Sequence, residues 1–374
     1  MEKEHPHILI VPDSFKDTAT SVEVTESIVE AIHDNYPAAQ TTGIPMADGG
    51  EGSLVALHAA LGGEWHSLLV QDPLGRPLEA KYLLVGKTAY VELAEASGLQ
   101  LLTPEDRSAK DTSTLGTGLL MSHALSHGAE HIVLCIGGSA TNDGGTGIAH
   151  ALGWRFMHSN GADFIPTGKS LSEITDFSWT GDKKPSITVL CDVNNPFTGP
   201  NGAVHIYGPQ KGADREDLAM LERGMQHLGR LVQEKCGIDL DGIPGAGAAG
   251  GVGGGMRSFF DATLISGIDY LIDALDLANR CAEADVIITG EGKIDAQSGK
   301  GKLISGIVQM AAKHKKPVIA LCGALEIDQH DIEALGLAAA FSIQQRVSDW
   351  DDAVKDTKQN IRLTTHQIVN LLRL

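Results

Sequence analysis

Short apolar runs recur along the chain, each closing on a turn-forming or charged residue. His7-Ile-Leu-Ile-Val11 stops at Pro12 and predicts a buried strand. Thr20-Ser-Val-Glu23 has the spacing of a capping box with Thr20 as N-cap, and Ile28, Val29 and Ile32 give the helix that follows an apolar face. Thr41–Ile44 predicts a second strand and Ser53–Leu61 a second helix. The C-terminal end resumes the rhythm. Strands are predicted at Asp285–Thr289, Pro317–Leu321 and Ala338–Ile343, and helices at Leu303–Lys313, Ile332–Leu335 and Asp352–Leu372. Five strands alternating with helices imply an α/β, parallel, doubly wound sheet built from the two chain ends.

From about Gly62 to Ala278 the pattern is less regular. Ile132–Ile136 and Ile187–Leu190 are strong apolar strands, with shorter ones near Tyr82–Val85 and Ala89–Leu93. Ser159–Pro185 is polar and turn-rich and reads as surface loops. At 374 residues the chain is long enough for two domains. The expected organisation is a discontinuous domain of residues 1–61 and 279–374, with a second α/β domain, 62–278, inserted into it. No repeat of fixed period is present.

Net charge is −19, which argues against a nucleic-acid partner. A small anion can still be held by local Lys or Arg, by backbone N–H groups at helix starts, or through a divalent metal. No apolar run approaches the ~18 residues of a membrane span, and the polar start Met1-Glu-Lys-Glu-His5 does not resemble a secretory leader. Five cysteines without a Cys-x-x-Cys pair, three of them in apolar runs, suit packing in a reducing compartment, so a cytoplasmic protein is expected.

The 44 glycines exceed the ~7% average and are clustered. Several strands run directly into a loop bearing glycine with an acid or lysine. These loops are Pro12-Asp-Ser-Phe-Lys16, Pro45–Gly52, Gly137-Gly-Ser-Ala-Thr-Asn-Asp-Gly-Gly145, Asp192-Val-Asn-Asn-Pro196 and Gly290-Glu-Gly-Lys-Ile-Asp295. Ligands of open α/β sheets bind beyond the carboxyl ends of the strands, so the loops predict a site. In the third loop glycines allow close approach to phosphate, and Ser139 and Thr141 add hydroxyls. Asp143 either holds Mg²⁺ or caps the helix expected at Gly147–Leu152, and turn formation accounts for it equally well.

Eight glycines fall between Gly242 and Gly255, and Gly245–Gly250 matches G-x-G-x-x-G. No strand directly precedes that match, so a dinucleotide site is disfavoured. An anion-binding loop, a hinge and a tight helix-packing segment all stay open. The Walker A spacing is absent. His123 and His127 stand at metal-ligand spacing, but a favourable charge at a helix C-terminus explains them better. Asp349–Asp352 reads as a solvated helix start.

The chain resembles the bacterial glycerate kinases of the first type over nearly its whole length. The resemblance rests on Pro12–Lys16, Ala47-Asp-Gly-Gly-Glu-Gly52, Asp72-Pro-Leu-Gly-Arg-Pro77, Gly137–Gly145, Asn195-Pro-Phe-Thr-Gly-Pro-Asn-Gly-Ala203, Gly208-Pro-Gln-Lys-Gly-Ala213, Gly245–Gly251 and Thr289-Gly-Glu-Gly-Lys-Ile-Asp-Ala-Gln297, in this order. It implies ATP-dependent phosphorylation of D-glycerate with Mg²⁺, 2-phosphoglycerate being favoured over 3-phosphoglycerate as product. It also implies a flavodoxin-like domain with an α/β insertion and an active site in the cleft between them. A homodimer is compatible with it. Asp17, Asn194 and Phe197 depart from the family pattern.

On that reading Asp192 is the base or hydroxyl orienter, and Lys16 neutralises phosphate or the glycerate carboxylate. Arg76 clamps that carboxylate, with Ser14 and Asn194 beside the substrate. Gly137, Gly138, Ser139, Thr141, Gly247, Gly250 and Lys293 hold ATP, and Asp48, Glu51, Glu291, Asp295 and Asp143 are the metal candidates. Two other classes remain: a nicotinamide-dependent oxidoreductase, from the G-x-G-x-x-G match, and a non-catalytic carboxylate or nucleotide sensor.

Overall fold

The structure is a computed structural model that describes residues 5–15, 18–47, 50, 52–295 and 303–373. In chain order the described strands are β1 (His7–Ile10), β2 (Gln40–Gly43), β3 (Glu64–Gln71), β4 (Pro77–Val85), β5 (Thr88–Glu92), β6 (His131–Cys135), β7 (Trp154–Met157), β8 (Asp163–Phe164), β9 (Asp176–Trp179), β10 (Ser186–Leu190), β11 (Thr263–Ile265), β12 (Val286–Ile294), β13 (Val318–Leu325) and β14 (Ala339–Ser342). The chain divides into two compact units. One comprises Met1–Asp48, Val55–Gly62 and Ile268–Leu374, the other Gly49–Leu54 and Gly63–Gly267.

The first unit holds a five-stranded sheet in the order β14-β13-β12-β1-β2, parallel throughout. Counted within the unit this is the flavodoxin-like order, with its switch point between β1 and β12. The strands read as apolar runs because helices cover them. Ile8, Ile10, Ile288 and Leu321 pack with Val24, Ile28, Ile32, Ile361 and Ile368 in one core. The helix Ser21–Asn35 starts on the expected capping box: the Thr20 side chain accepts from the Glu23 N–H, and the Glu23 carboxylate accepts from the Thr20 N–H. The C-terminal helix Trp350–Leu372 begins where Asp349 accepts from the Asp352 N–H.

One expectation here is corrected. Gly290-Glu-Gly-Lys-Ile294 is not a loop but the second half of β12, paired with Gly290–Ile294 opposite Leu321–Leu325. Gly290 serves that pairing, since a Cβ there would lie 2.6 Å from the Leu321 carbonyl oxygen.

The second unit is built on a six-stranded sheet, β11-β10-β6-β5-β4-β3. Its first four strands are parallel and β4 and β3 antiparallel. A separate antiparallel sheet, β8-β7-β9, lies within Ser159–Pro185 and its approach. The reading of that segment as surface loops therefore fails. Leu171, Ile174 and Phe177 are buried, and Phe177 packs edge-on against Phe259 at 5.7 Å. Apolar residues set singly among polar ones carry no periodic signal, so only the partners across the core reveal their role.

The glycine-rich segment is also resolved. Ala248–Phe260 is a helix, and Ala249, Gly250 and Gly251 in its first turns have left-handed backbone. A Cβ on Gly247 would fall 2.0 Å from the Pro196 carbonyl oxygen, and on Gly250 2.0 Å from that of Thr141. Of the alternatives the sequence leaves open, tight packing is the one the coordinates display. No helix among the described residues is long and apolar enough to cross a membrane.

Candidate active site

In the first unit the sequence-predicted residues gather where β1 and β12 end. Beyond Ile10 the chain stays tied to β12: the Val11 N–H donates to the Ile288 carbonyl at 2.8 Å and the Asp13 N–H to that of Gly290 at 2.8 Å. Asp13 accepts from the Ser14 N–H at 2.6 Å, which holds Ser14 half-buried at the strand end. Glu291 is buried on β12 opposite Cys322. Burial, and after it the Glu291 charge, pushes the Cys322 thiol up to about 12. Lys293 pairs with Glu326 at 2.7 Å and with Asp295 at 3.7 Å, and the Glu326 contact raises its ammonium above the usual lysine range. Lys16, Asp48 and Glu51 lie outside the described residues.

In the second unit the loop 137–145 follows the central strand β6. It is stitched to a neighbouring segment by the Leu99 N–H on the Gly138 carbonyl and the Ala140 N–H on the Ser97 carbonyl, at 2.8 and 2.9 Å. Gly138 has φ +73° and is exposed, so the loop turns there and shows backbone to solvent. Thr141, Asn142 and Asp143 behind it are fully buried.

Asp143 is positioned as a structural group. Its carboxylate accepts from the N–H and hydroxyl of Thr114, both at 2.8 Å, and from the N–H groups of Gly145 and Gly147 at 3.0 and 3.3 Å. Those bonds cap the helix Thr146–Ala151. Burial raises this carboxyl, and the Thr114, Gly145 and Gly147 bonds act against that rise. The capping alternative, not the metal, is what this geometry displays.

Asp192 follows β10 after one residue and is half-buried. One oxygen accepts from the Ser266 hydroxyl at 2.9 Å and the Gly267 N–H at 2.8 Å, which fixes the carboxylate rigidly. Asn194 beside it is exposed. Arg76 sits in the tight turn after β3, its Nε on Asp72 at 2.5 Å and a terminal nitrogen on Asp106 at 2.9 Å. Asp72, then Asp106, raises the guanidinium above its usual value. Part of its donor fork is therefore already engaged.

One buried cation lies outside the sequence reading. Lys211 is 2% exposed and bonds the Ser139 hydroxyl and the Thr141 carbonyl, both at 2.7 Å. Its only signal in the sequence was its place between glycines in Gly208–Ala213. His123 and His127, at the end of the helix Leu115–Ser126, stack at 3.8 Å and meet His66 and Tyr82. Burial first, then His127 and His66, lower the His123 imidazole, while the His127 ring nitrogen lies 2.9 Å from the His123 carbonyl at the helix end. Among the described residues no group of three or more His, Cys, Asp or Glu is arranged to hold a metal ion.

The glycerate kinase family model matches residues 8–373. The chain belongs to the glycerate kinase family. It is 41% identical over 354 residues to a glycerate kinase of Halalkalibacterium halodurans, covering 93% of both chains. It is 38% identical over 373 residues to a protein of Escherichia coli named glycerate 2-kinase, covering 98% of both. A crystal structure provisionally assigned as glycerate kinase 2 of Salmonella typhimurium superposes with a TM-score of 0.87 at 37% identity, over 98% of each chain. Family membership makes the chain a kinase, and the α/β fold with its parallel sheets agrees with that of its relative.

Proposed function

We propose that this protein transfers the terminal phosphoryl group of ATP to D-glycerate, at the 2-hydroxyl in preference to the 3-hydroxyl. The observation that carries the reading is the family match across residues 8–373. The name of the Escherichia coli relative supports the 2-position. No specific observation favours the oxidoreductase alternative: Gly247 and Gly250, within the G-x-G-x-x-G match, pack against backbone.

Phosphoryl transfer asks the protein for positioning and charge neutralisation more than for covalent chemistry. Asp192, held by the Ser266 hydroxyl and the Gly267 N–H, orients the glycerate hydroxyl and takes its proton. Arg76 presents its remaining N–H groups to the carboxylate, with Ser14 and Asn194 completing substrate contacts and Lys16 adding positive charge. The Gly137–Gly138 turn, exposed at Gly138, takes the nucleotide phosphates with Ser139 and Lys293, while Thr141, Gly247 and Gly250 shape the loop from behind.

Mg²⁺ takes oxygen ligands and is satisfied by one or two carboxylates plus phosphates and water. The carboxylates of Glu291 and Asp295, with Asp48 and Glu51, fit that donor set. When bound, the ion neutralises the phosphates. The reaction is placed in the cytoplasm, in keeping with five free cysteines.

The test is ADP release from the purified chain with a panel of hydroxy acids including D-glycerate, with the phosphorylated carbon assigned by ³¹P–¹H NMR. Release with D-glycerate and a phosphorus coupled to the C2 proton is expected. Absence of release with every acid overturns the kinase reading, and coupling to the C3 protons overturns the regiochemistry.

A further inference from the structure

Lys211 is a buried cation that the mechanism above does not use. It closes the short turn Pro209–Lys211, and its Nζ reaches the underside of the loop 137–145. A hydroxyl that accepts from an ammonium directs its own proton elsewhere. Ser139 donates to no group among the described residues, and it stands next to exposed Gly138 at the rim of the loop. Thr141 Oγ1 and both polar atoms of Asn142 are fully buried and unpartnered among the described residues. The loop is therefore richer in unspent polar capacity than a purely structural turn requires.

Charge points the same way. A buried ammonium is costly unless matched by negative charge. Burial drives Lys211 down to about 7, and the Asp143 charge acts in the other direction. Asp143 is already committed to four donors. The segment packed on Lys211, whose Ala109 N–H donates to the Lys211 carbonyl, carries Asp106, Arg107, Lys110 and Asp111, and of these Asp106, Lys110 and Asp111 are already engaged in ion pairs with Arg76, Asp217 and Lys169. An anion arriving at the rim would complete the balance.

We propose that Lys211 is a positioning residue for an anionic ligand oxygen at Gly137–Ser139, fixing the Ser139 hydroxyl as an outward donor and placing a positive charge behind it. The oxygen belongs to a phosphate of the nucleotide or to the carboxylate of glycerate. Naming those two ligands rests on the kinase reading, whereas the anion chemistry does not. Because the site is short of negative charge when empty, the anion binds together with a proton taken up by Lys211.

The experiment is calorimetric titration of the full chain at pH 8 with Mg-ADP and, separately, with D-glycerate, each in two buffers of different ionisation enthalpy. The wild type is expected to take up about one proton more than Lys211→Met with the ligand that seats on the loop. Uptake with ADP assigns the phosphate, and uptake with glycerate the carboxylate. Ser139→Ala is expected to weaken that same ligand about tenfold, and Ser139→Thr to restore it.

If Lys211→Met does not fold, the Ser139→Ala and Ser139→Thr pair decides. No extra proton uptake with either ligand, or Ser139→Ala binding both within about twofold of wild type, overturns the proposal. Failure of ADP release with every hydroxy acid would remove the kinase reading while leaving these binding results to stand alone.

Discussion

Thr114 binds the buried Asp143 carboxylate twice, once through its N–H and once through its hydroxyl, both at 2.8 Å. The same hydroxyl oxygen accepts from the Ile148 N–H at 3.1 Å. One side chain thus joins the loop after β6 to the helix that follows it. Replacing it leaves a buried carboxylate and a helix N–H short of partners. Thr114→Val is expected to cost about 2–3 kcal/mol of stability, read from the urea midpoint at unchanged slope. A loss below about 0.5 kcal/mol would show that the pair is dispensable.

Asp192→Asn keeps an oxygen able to accept from Ser266 and Gly267, so the fold is expected to survive. It removes the carboxylate charge that accepts the substrate proton. Turnover is expected to fall about 100-fold or more with little change in KM for glycerate. Near-normal turnover with unchanged affinity means that Asp192 only caps the backbone at Gly267.

Glycines differ in what they tolerate. Gly250 has φ +68° and no space, a Cβ there meeting the Thr141 carbonyl oxygen at 2.0 Å, while Gly161 has φ +78° and nothing within 4 Å. Gly161→Ala is expected to cost only about 1 kcal/mol, for backbone strain alone. Gly250→Ala is expected to cost several times more and to reduce soluble expression. Equal midpoints for the two variants in denaturant titration would refute the packing account of the glycine-rich segment.

Stability should depend on pH through Lys211. Its folded value of about 7 lies below the ordinary 10.5, so between these limits the unfolded chain binds more protons than the folded one. Stability is therefore expected to rise with pH across that window, by up to about one proton's worth of slope, and to level off below it. Denaturant titrations of wild type and Lys211→Met at pH 7, 8 and 9 check this. The difference between them should grow in favour of wild type as pH rises, and a constant difference contradicts it.

Much of this molecule was legible from the chain alone. The capping box at Thr20 and Glu23, the strand His7–Ile10 and the first half of β13, to Leu321, follow from local pattern, because their periodicity and punctuation are written in consecutive residues. The eight ordered motifs fixed the family for a similar reason: order and spacing survive without coordinates. What local pattern could not decide was which residue meets which across the fold.

The run Gly290–Ile294 became strand only because β13 continues beside it. The glycines near Gly250 proved to be contact surfaces only once the Thr141 carbonyl was placed against them. Asp143 was a metal candidate until four donors were found around it, and Lys211 was one lysine among many until it was found beneath Ser139. Local sequence determines which elements form, since helix and strand signals act over a few residues. Burial and pairing between distant segments decide which charges are spent on structure and which remain for a ligand.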